Sequence, residues 1–261
     1  MQHLFFLVFL SLVTSCRNAD KTELKTIKRF ELNREELLSN MAKWYEYSFF
    51  NIQFGKPFIG LDADSNQIDK KTFLNSISVY NFCAFRVAEI GDVPVYKLHP
   101  IKQDIANIRP TAKQLADIEL ACLKMEEAGL PEFDLTDIEG KRYTKANTKG
   151  KFLIFKCWFI RCGACVEEFP QLNKLVDSYK NRDNILFVSL ASDNKQDLIK
   201  FLNKKPFKYA VVPMSGKFMT QKLGVQMYPT HILIDQSGKI IKVTHSLEDL
   251  LPYIEATVKK R

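Results

Sequence analysis

Outside its first fifteen residues, this 261-residue chain has no apolar run of the about 18 residues that a membrane span requires. No second membrane segment is expected. There is no glycine-rich loop of the kind that cradles phosphate, and no basic helix or aromatic-interleaved stripe of the kind that tracks nucleic acid. Nucleotide and nucleic-acid binding are therefore not expected. The four histidines (His3, His99, His231, His245) form no His-x(3–5)-His pair, and the six cysteines contain a single Cys-x-x-Cys. A four-ligand zinc site would lack half of its ligands. What is present suits a globular protein: 46% hydrophobic residues with 20 Phe supply ample core material. The formal charge of +8 is spread as Lys among Glu and Asp, which suggests a solvated surface near anionic lipid.

The most informative stretch runs from Lys156 to Pro170, where two thiols, Cys162 and Cys165, stand three positions apart. Residues 152 to 160 form the near-continuous apolar run of a strand buried on both faces. From 165 to 179 the period changes, and Val166, Phe169, Leu172, Leu175, Val176 and Tyr179 fall three or four apart, as on one helix face. Cys162 is thus expected at a helix N-terminus, where unpaired N–H groups and the helix dipole favour a thiolate and Arg161 adds a cation. Cys165, one turn further in, is positioned to attack a mixed disulfide on Cys162. Two other readings of the motif are half of a zinc site and a structural disulfide. The latter would close too small a loop to remove much unfolded-state entropy.

Residues 224 to 243 read as two strands, His231–Asp235 and Lys239–Val243, joined by a turn containing Ser237-Gly238. Pro229 opens the first strand, where proline's missing N–H is tolerated.

From about Leu130 to Val258, half of the chain, the sequence resembles the extracytoplasmic thioredoxin-like thiol-disulfide oxidoreductases of the TlpA/ResA type, within the redoxin superfamily. The resemblance rests on Leu130–Lys141, similar to that family's leading hairpin, and on Lys149-Gly150-Lys151 before the buried strand. Cys162-Gly163-Ala164-Cys165, Glu168-Phe169-Pro170, Tyr228-Pro229-Thr230 and Asp235–Ile240 then follow in the family's order and spacing. It implies an α/β, thioredoxin-like fold, a central mixed sheet flanked by helices. Cys162 would be the attacking and Cys165 the resolving cysteine, and Tyr228-Pro229, with a cis-proline, would pair with a substrate's extended chain. Glu168 occupies the position of the acidic residue that tunes the dithiol. No cofactor is implied. The partners implied are protein thiols and disulfides of the cell envelope and a membrane redox donor, with this protein as the reductant.

Departures from the family pattern are informative. Lys156 stands where thioredoxin has a buried Asp, and a buried ammonium is costly unless paired or neutral. It is expected to meet Glu167 or Glu168, the alternative being that it stabilises the Cys162 thiolate or transfers a proton. Arg161 replaces an aromatic. Trp158 aligns with thioredoxin's tryptophan and reads equally as core packing. Peroxiredoxins of the same superfamily resemble Pro-x-x-x-Thr-x-x-Cys, but neither Pro nor Thr stands before Cys162. Copper carriers of related fold resemble Cys-x-x-x-Cys with a distant histidine; the spacing here is one shorter, and His231 is the histidine available.

Residues 4 to 13 are too short to span a bilayer but fit a signal-peptide core. Val13-Thr14-Ser15-Cys16 resembles the bacterial lipobox, which implies cleavage before Cys16 and its lipidation. Met1-Gln2-His3 lacks the usual Lys or Arg, which leaves a cleaved, unlipidated signal as the alternative. The organisation expected is a signal peptide (1–15), a lipid-anchored tether (16–29), a small α/β accessory domain (30–110), a connecting helix (111–129) and the thioredoxin-like domain (130–261). Within the accessory domain, Asn33 with Glu36 reads as a capping box for a helix through about Tyr45. Residues 49–61, 78–90 and 94–98 lean towards strands. The connecting helix carries Leu115, Ile118, Cys122 and Met125 on one face. Cys83 and Cys122 read either as a disulfide or as buried thiols, and Cys157 as a core thiol.

Overall fold

The computed structural model describes residues 26–102 and 107–258. The expected signal peptide, the expected lipidation site Cys16 and the first part of the expected tether lie outside them. Among the described residues no helix is long and apolar enough to cross a membrane.

The N-terminal part contains β1 (Ile27–Arg29), α1 (Arg34–Leu37), α2 (Met41–Asn51), β2 (Ile59–Leu61), β3 (Gln67–Ile68), α3 (Lys70–Val79), β4 (Phe82–Ile90) and β5 (Val93–Pro100). Its five strands form one sheet in the order β1-β4-β5-β2-β3. The single helix expected from Asn33 is two. The Asn33 side chain caps α1, but Asn40, with extended backbone, accepts the Lys43 N–H at 2.9 Å and starts α2 afresh. Helix α2 then runs through Phe49 and Phe50, whose strand preference is overridden because Trp44 and Tyr47 pack against Phe85 of the sheet. Likewise Ser78 and Val79 end α3 rather than begin a strand. Gly60 lets β2 approach α3 closely, since a Cβ there would lie 2.9 Å from the Phe73 ring.

Helix α4 spans Ile108–Ala128, starting earlier than the sequence suggested. Pro110 falls in its first turn, where a missing N–H breaks no helical bond. This helix belongs to two cores. Ile108, Ala112 and Ala116 join Trp44, Phe73, Phe85 and Tyr96, whereas Cys122 and Met125 join Phe155, Val188 and Ile232 of the second sheet. Polar contacts clamp it at both levels. Lys70 meets the buried Glu119 at 2.7 Å, and Glu126 accepts from both Lys242 Nζ (2.8 Å) and the Val243 N–H (2.9 Å).

The C-terminal part begins with the hairpin β6 (Asp134–Thr136) and β7 (Arg142–Thr144). Then follow β8 (Phe152–Trp158), α5 (Gly163–Glu167), α6 (Phe169–Ser178), β9 (Ile185–Ala191), α7 (Lys195–Leu202), β10 (Ala210–Val212), β11 (Thr230–Ile234), β12 (Ile240–Thr244) and α8 (Leu247–Val258). The sheet order is β10-β9-β8-β11-β12, with β8, β9 and β10 parallel and β11 and β12 antiparallel to their neighbours. This is the mixed, helix-flanked sheet of a thioredoxin-like fold. Every residue of β8 is buried, as its apolar composition requires of a central strand. The helix expected over 165–179 breaks at Glu168, because Pro170 has no N–H to give the Val166 carbonyl and its ring crowds that turn. Cys83, Cys122 and Cys157 are all buried free thiols, so the Cys83–Cys122 bridge does not form.

Candidate active site

Strand β8 ends at Trp158, and a tight loop delivers Cys162 to the start of α5. The Ile160 N–H donates to Asp193 Oδ2 at 2.8 Å and the Cys162 N–H to the Phe159 carbonyl at 3.0 Å. Cys162 is the N-cap residue of α5, its Sγ facing the Cys165 N–H at 3.3 Å. Cys162 and Cys165 are joined as a disulfide, with their Cα atoms 5.2 Å apart. Cys162 is 8% exposed and Cys165 fully buried. Only the first sulfur is thus reachable by a second protein.

Trp158 is fully buried, stacks edge-on against Phe169 with centroids 5.0 Å apart, and its indole N–H has no hydrogen-bond partner among the described residues. It serves as packing behind the loop. Arg161 is exposed on the loop beside Cys162. Tyr228 precedes Pro229 through a cis peptide bond and packs edge-on against Phe159 at 5.4 Å, which sets the 228–229 loop against the loop that carries Cys162.

Below the disulfide lies a buried charged cluster. Register pairs Lys156 of β8 with His231 of β11 on one side and with Ser189 of β9 on the other. Those side chains share the sheet face opposite Phe155 and Cys157. Lys156 and His231 are both fully buried. Of the two carboxylates expected to meet Lys156, Glu168 does so. Its position at the broken α5–α6 junction lets Oε2 accept from Lys156 Nζ and from His231 Nε2 (2.9 Å), while Oε1 accepts the Leu247 N–H at the start of α8 (2.9 Å). Burial alone would raise the Glu168 pKa, but His231 and Lys156 outweigh it and hold the carboxyl down to about 2. Burial pushes the Lys156 ammonium down against the pull of Glu168, and pushes the His231 imidazole down likewise. With His231 neutral, the ammonium of Lys156 supplies the counter-charge.

Sequence reasoning missed three participants. Asp193 anchors the cysteine loop through a backbone bond that no motif announces. His245 lies 3.2 Å from the Pro229 carbonyl and from Thr230 Oγ1 through Nδ1, while its Nε2 is 3.3 Å from Cys122 Sγ on α4. The sequence offers His231 as a strand residue or a metal ligand, whereas its Nε2 is committed to Glu168. Counting the antiparallel register from Pro229 to Lys156 would have brought it to the cluster. A cavity of about 370 Å³ opens beside this loop, lined by Phe54, Lys56, Ile118, Glu119, Met227 and His245 among others. The N-terminal part thus forms one wall of a cleft next to Tyr228-Pro229. Burial of Cys83, Cys122 and Cys157 raises each thiol to about 12, which leaves Cys162 and Cys165 as the reactive pair among the described residues.

The C-terminal part of the chain is similar to known proteins. Residues 125–249 match the family described as Redoxin. The thiol-disulfide oxidoreductase ResA of Bacillus thuringiensis (strain Al Hakam) is 32% identical over 113 residues, 43% of this chain and 65% of that protein. ResA of Geobacillus thermodenitrificans (strain NG80-2) is 26% identical over 129 residues, 48% of this chain and 74% of that protein. The chain therefore spans just under two thirds of the first relative's length. Among solved structures, a putative thiol:disulfide interchange protein DsbE from Chlorobium tepidum is 26% identical, with 49% of this chain and 94% of that one covered and a TM-score of 0.45.

Proposed function

We propose that this chain, whose residues 125–249 carry a redoxin domain similar in sequence to ResA, is a thiol-disulfide oxidoreductase that exchanges disulfides with proteins of the cell envelope. The observation that carries the reading is a disulfide between Cys162 and Cys165 at a helix start, with Cys162 slightly exposed, Cys165 fully buried and Tyr228-Pro229 set against the loop that carries Cys162.

In the reduced protein the Cys162 thiolate is stabilised by the first N–H groups of α5. It attacks a partner's disulfide, forming a mixed disulfide and expelling one partner thiolate. Cys165 then attacks Cys162 Sγ, closes the internal disulfide and releases the second partner thiolate. The backbone at Tyr228-Pro229 receives the partner's extended chain, and Trp158 and Phe159 hold the loops in register. Lys156 and Glu168 cancel each other's charge beneath the site, which leaves Arg161 and the helix start as the sources of positive potential.

In the same reading the protein is a lipid-anchored component outside the cytoplasm, which the apolar leader and Cys16 support. A membrane donor would keep it reduced, and it would act as the reductant. The test is Cys165→Ala, which should trap partners on Cys162 as mixed disulfides in envelope extracts, while the wild type reduces insulin disulfides. No trapped species together with no insulin reduction would refute the assignment.

A further inference from the structure

His245, at the end of β12, is bonded through both ring nitrogens, and the partners on each side fix which one carries the hydrogen. Its Nδ1 lies 3.2 Å from the Pro229 carbonyl oxygen and 3.2 Å from Thr230 Oγ1. The carbonyl only accepts, and the Thr230 hydroxyl gives its one hydrogen to the Met227 carbonyl at 2.6 Å. Nδ1 therefore carries the ring hydrogen and donates it. Nε2 of the neutral ring is then a lone pair, and the atom that meets it at 3.3 Å is Sγ of Cys122 on α4. Burial holds that thiol up at about 12, so it keeps its hydrogen and donates to Nε2. The imidazole is pinned at both ends in one tautomer.

Those bonds act on the peptide units either side of the Tyr228-Pro229 bond. The Met227 carbonyl accepts from Thr230 and the Pro229 carbonyl from His245, so the units before and after the cis bond are both tied within this chain. The same turn reaches the dithiol. Two residues after His245, the Leu247 N–H donates to Glu168 Oε1 at 2.9 Å, and Glu168 joins α6 to α5, the helix that Cys162 caps. Residues 245 to 247 thus hold the cis-proline loop at one end and the dithiol helix at the other.

We propose that His245 is a positioning residue for disulfide exchange: through the Pro229 carbonyl it sets the Tyr228-Pro229 backbone relative to Cys162, so that a partner's extended chain can pair there. The proposal rests on the exchange reading above and concerns how a peptide partner is held, not how the thiols react. No proton or electron passes through the ring. Without the Nδ1 donor, the loop has to be ordered at each encounter, which costs affinity for a chain that pairs with it. A small disulfide with no chain to pair should not sense the difference.

The test uses the full-length reduced protein in single-turnover stopped flow with two oxidised probes. One is a fluorogenic peptide disulfide, which has an extended backbone, and the other is Ellman's reagent, which has none. His245→Leu should raise the half-saturating peptide concentration by roughly 3- to 10-fold, the effect of one lost hydrogen bond. The limiting rate with peptide and the rate with Ellman's reagent should not change, the pattern of lost binding. His245→Asn, whose amide N–H stands in for Nδ1–H, should restore the wild-type value, which a side chain that only filled space would not permit. A half-saturation unchanged in His245→Leu, or an equal fall in rate with both probes, would overturn the proposal. Nitrogen-15 spectra of wild type decide independently of whether the Leu variant folds. A neutral His245 with its hydrogen on Nδ1 supports the proposal, and one with its hydrogen on Nε2 refutes it. Wild type that reduces neither probe would overturn the exchange reading and this proposal with it, whereas an active wild type matched by His245→Leu overturns this proposal alone.

Discussion

Replacing Glu168 with Gln would remove the only carboxylate that meets Lys156 among the described contacts, while keeping an oxygen for the Leu247 N–H. The Lys156 side chain is fully buried, so its ammonium would be left without a counter-charge, a situation that typically costs about 3–5 kcal/mol. Deprotonation sets a ceiling on that cost. An ammonium that ordinarily titrates at 10.5 must give up its proton inside the fold, which costs about 5 kcal/mol at pH 7 and about 2 kcal/mol at pH 9. The sign follows from linkage. The unfolded chain binds the proton and the folded variant does not, so stability rises with pH, by about 1.4 kcal/mol per unit over this range. Urea denaturation of the oxidised proteins, followed by circular dichroism, measures the difference. The double variant Glu168→Gln/Lys156→Met, with no buried charge left, should return to within about 2 kcal/mol of wild type. A loss below about 1 kcal/mol at pH 7, or one that does not shrink as pH rises, would refute the view that this pair is a closed, mutually dependent unit.

The proposed reductant role and the packing around Gly60 each set a further expected outcome. A glutathione redox titration of Cys162/Cys165 should give a potential near thioredoxin's value of about −270 mV, whereas one near about −120 mV would make the protein an oxidant. Gly60→Ala places a methyl group 2.9 Å from the rigid, fully buried Phe73 ring. It should destabilise the protein by about 1–3 kcal/mol in thermal unfolding; an unchanged midpoint would show that β2 shifts freely away from α3.

The buried strand and the two thiols of the site were readable in advance because their signals are local: an unbroken apolar run and a motif. Lys156 was legible for the opposite reason, as a charge where none belongs. Its partner was narrowed only to Glu167 or Glu168, since the choice depends on where the helix breaks, and Pro170 decides that through a turn four residues back. His231, His245 and Asp193 act through strand register and long-range backbone contacts, which one-dimensional patterns do not encode. In the N-terminal part, Phe49 and Phe50 misled because strand preference is weak against the packing of Trp44 and Tyr47. Ser39 and Asn40 look like any polar surface, yet the Asn40 cap divides one expected helix into two.

Helix α4 also bears on how this gene can be cut and joined. A fragment beginning at Leu130 would encode all five strands of the C-terminal sheet, yet it would discard Cys122 and Met125 from that sheet's core and Glu126 from the edge of β12. A fragment ending before the helix would strip Ile108, Ala112 and Ala116 from the other core. A truncation or fusion that keeps α4 whole, with both of the cores it enters, is therefore expected to retain more stability than one cut on either side of it.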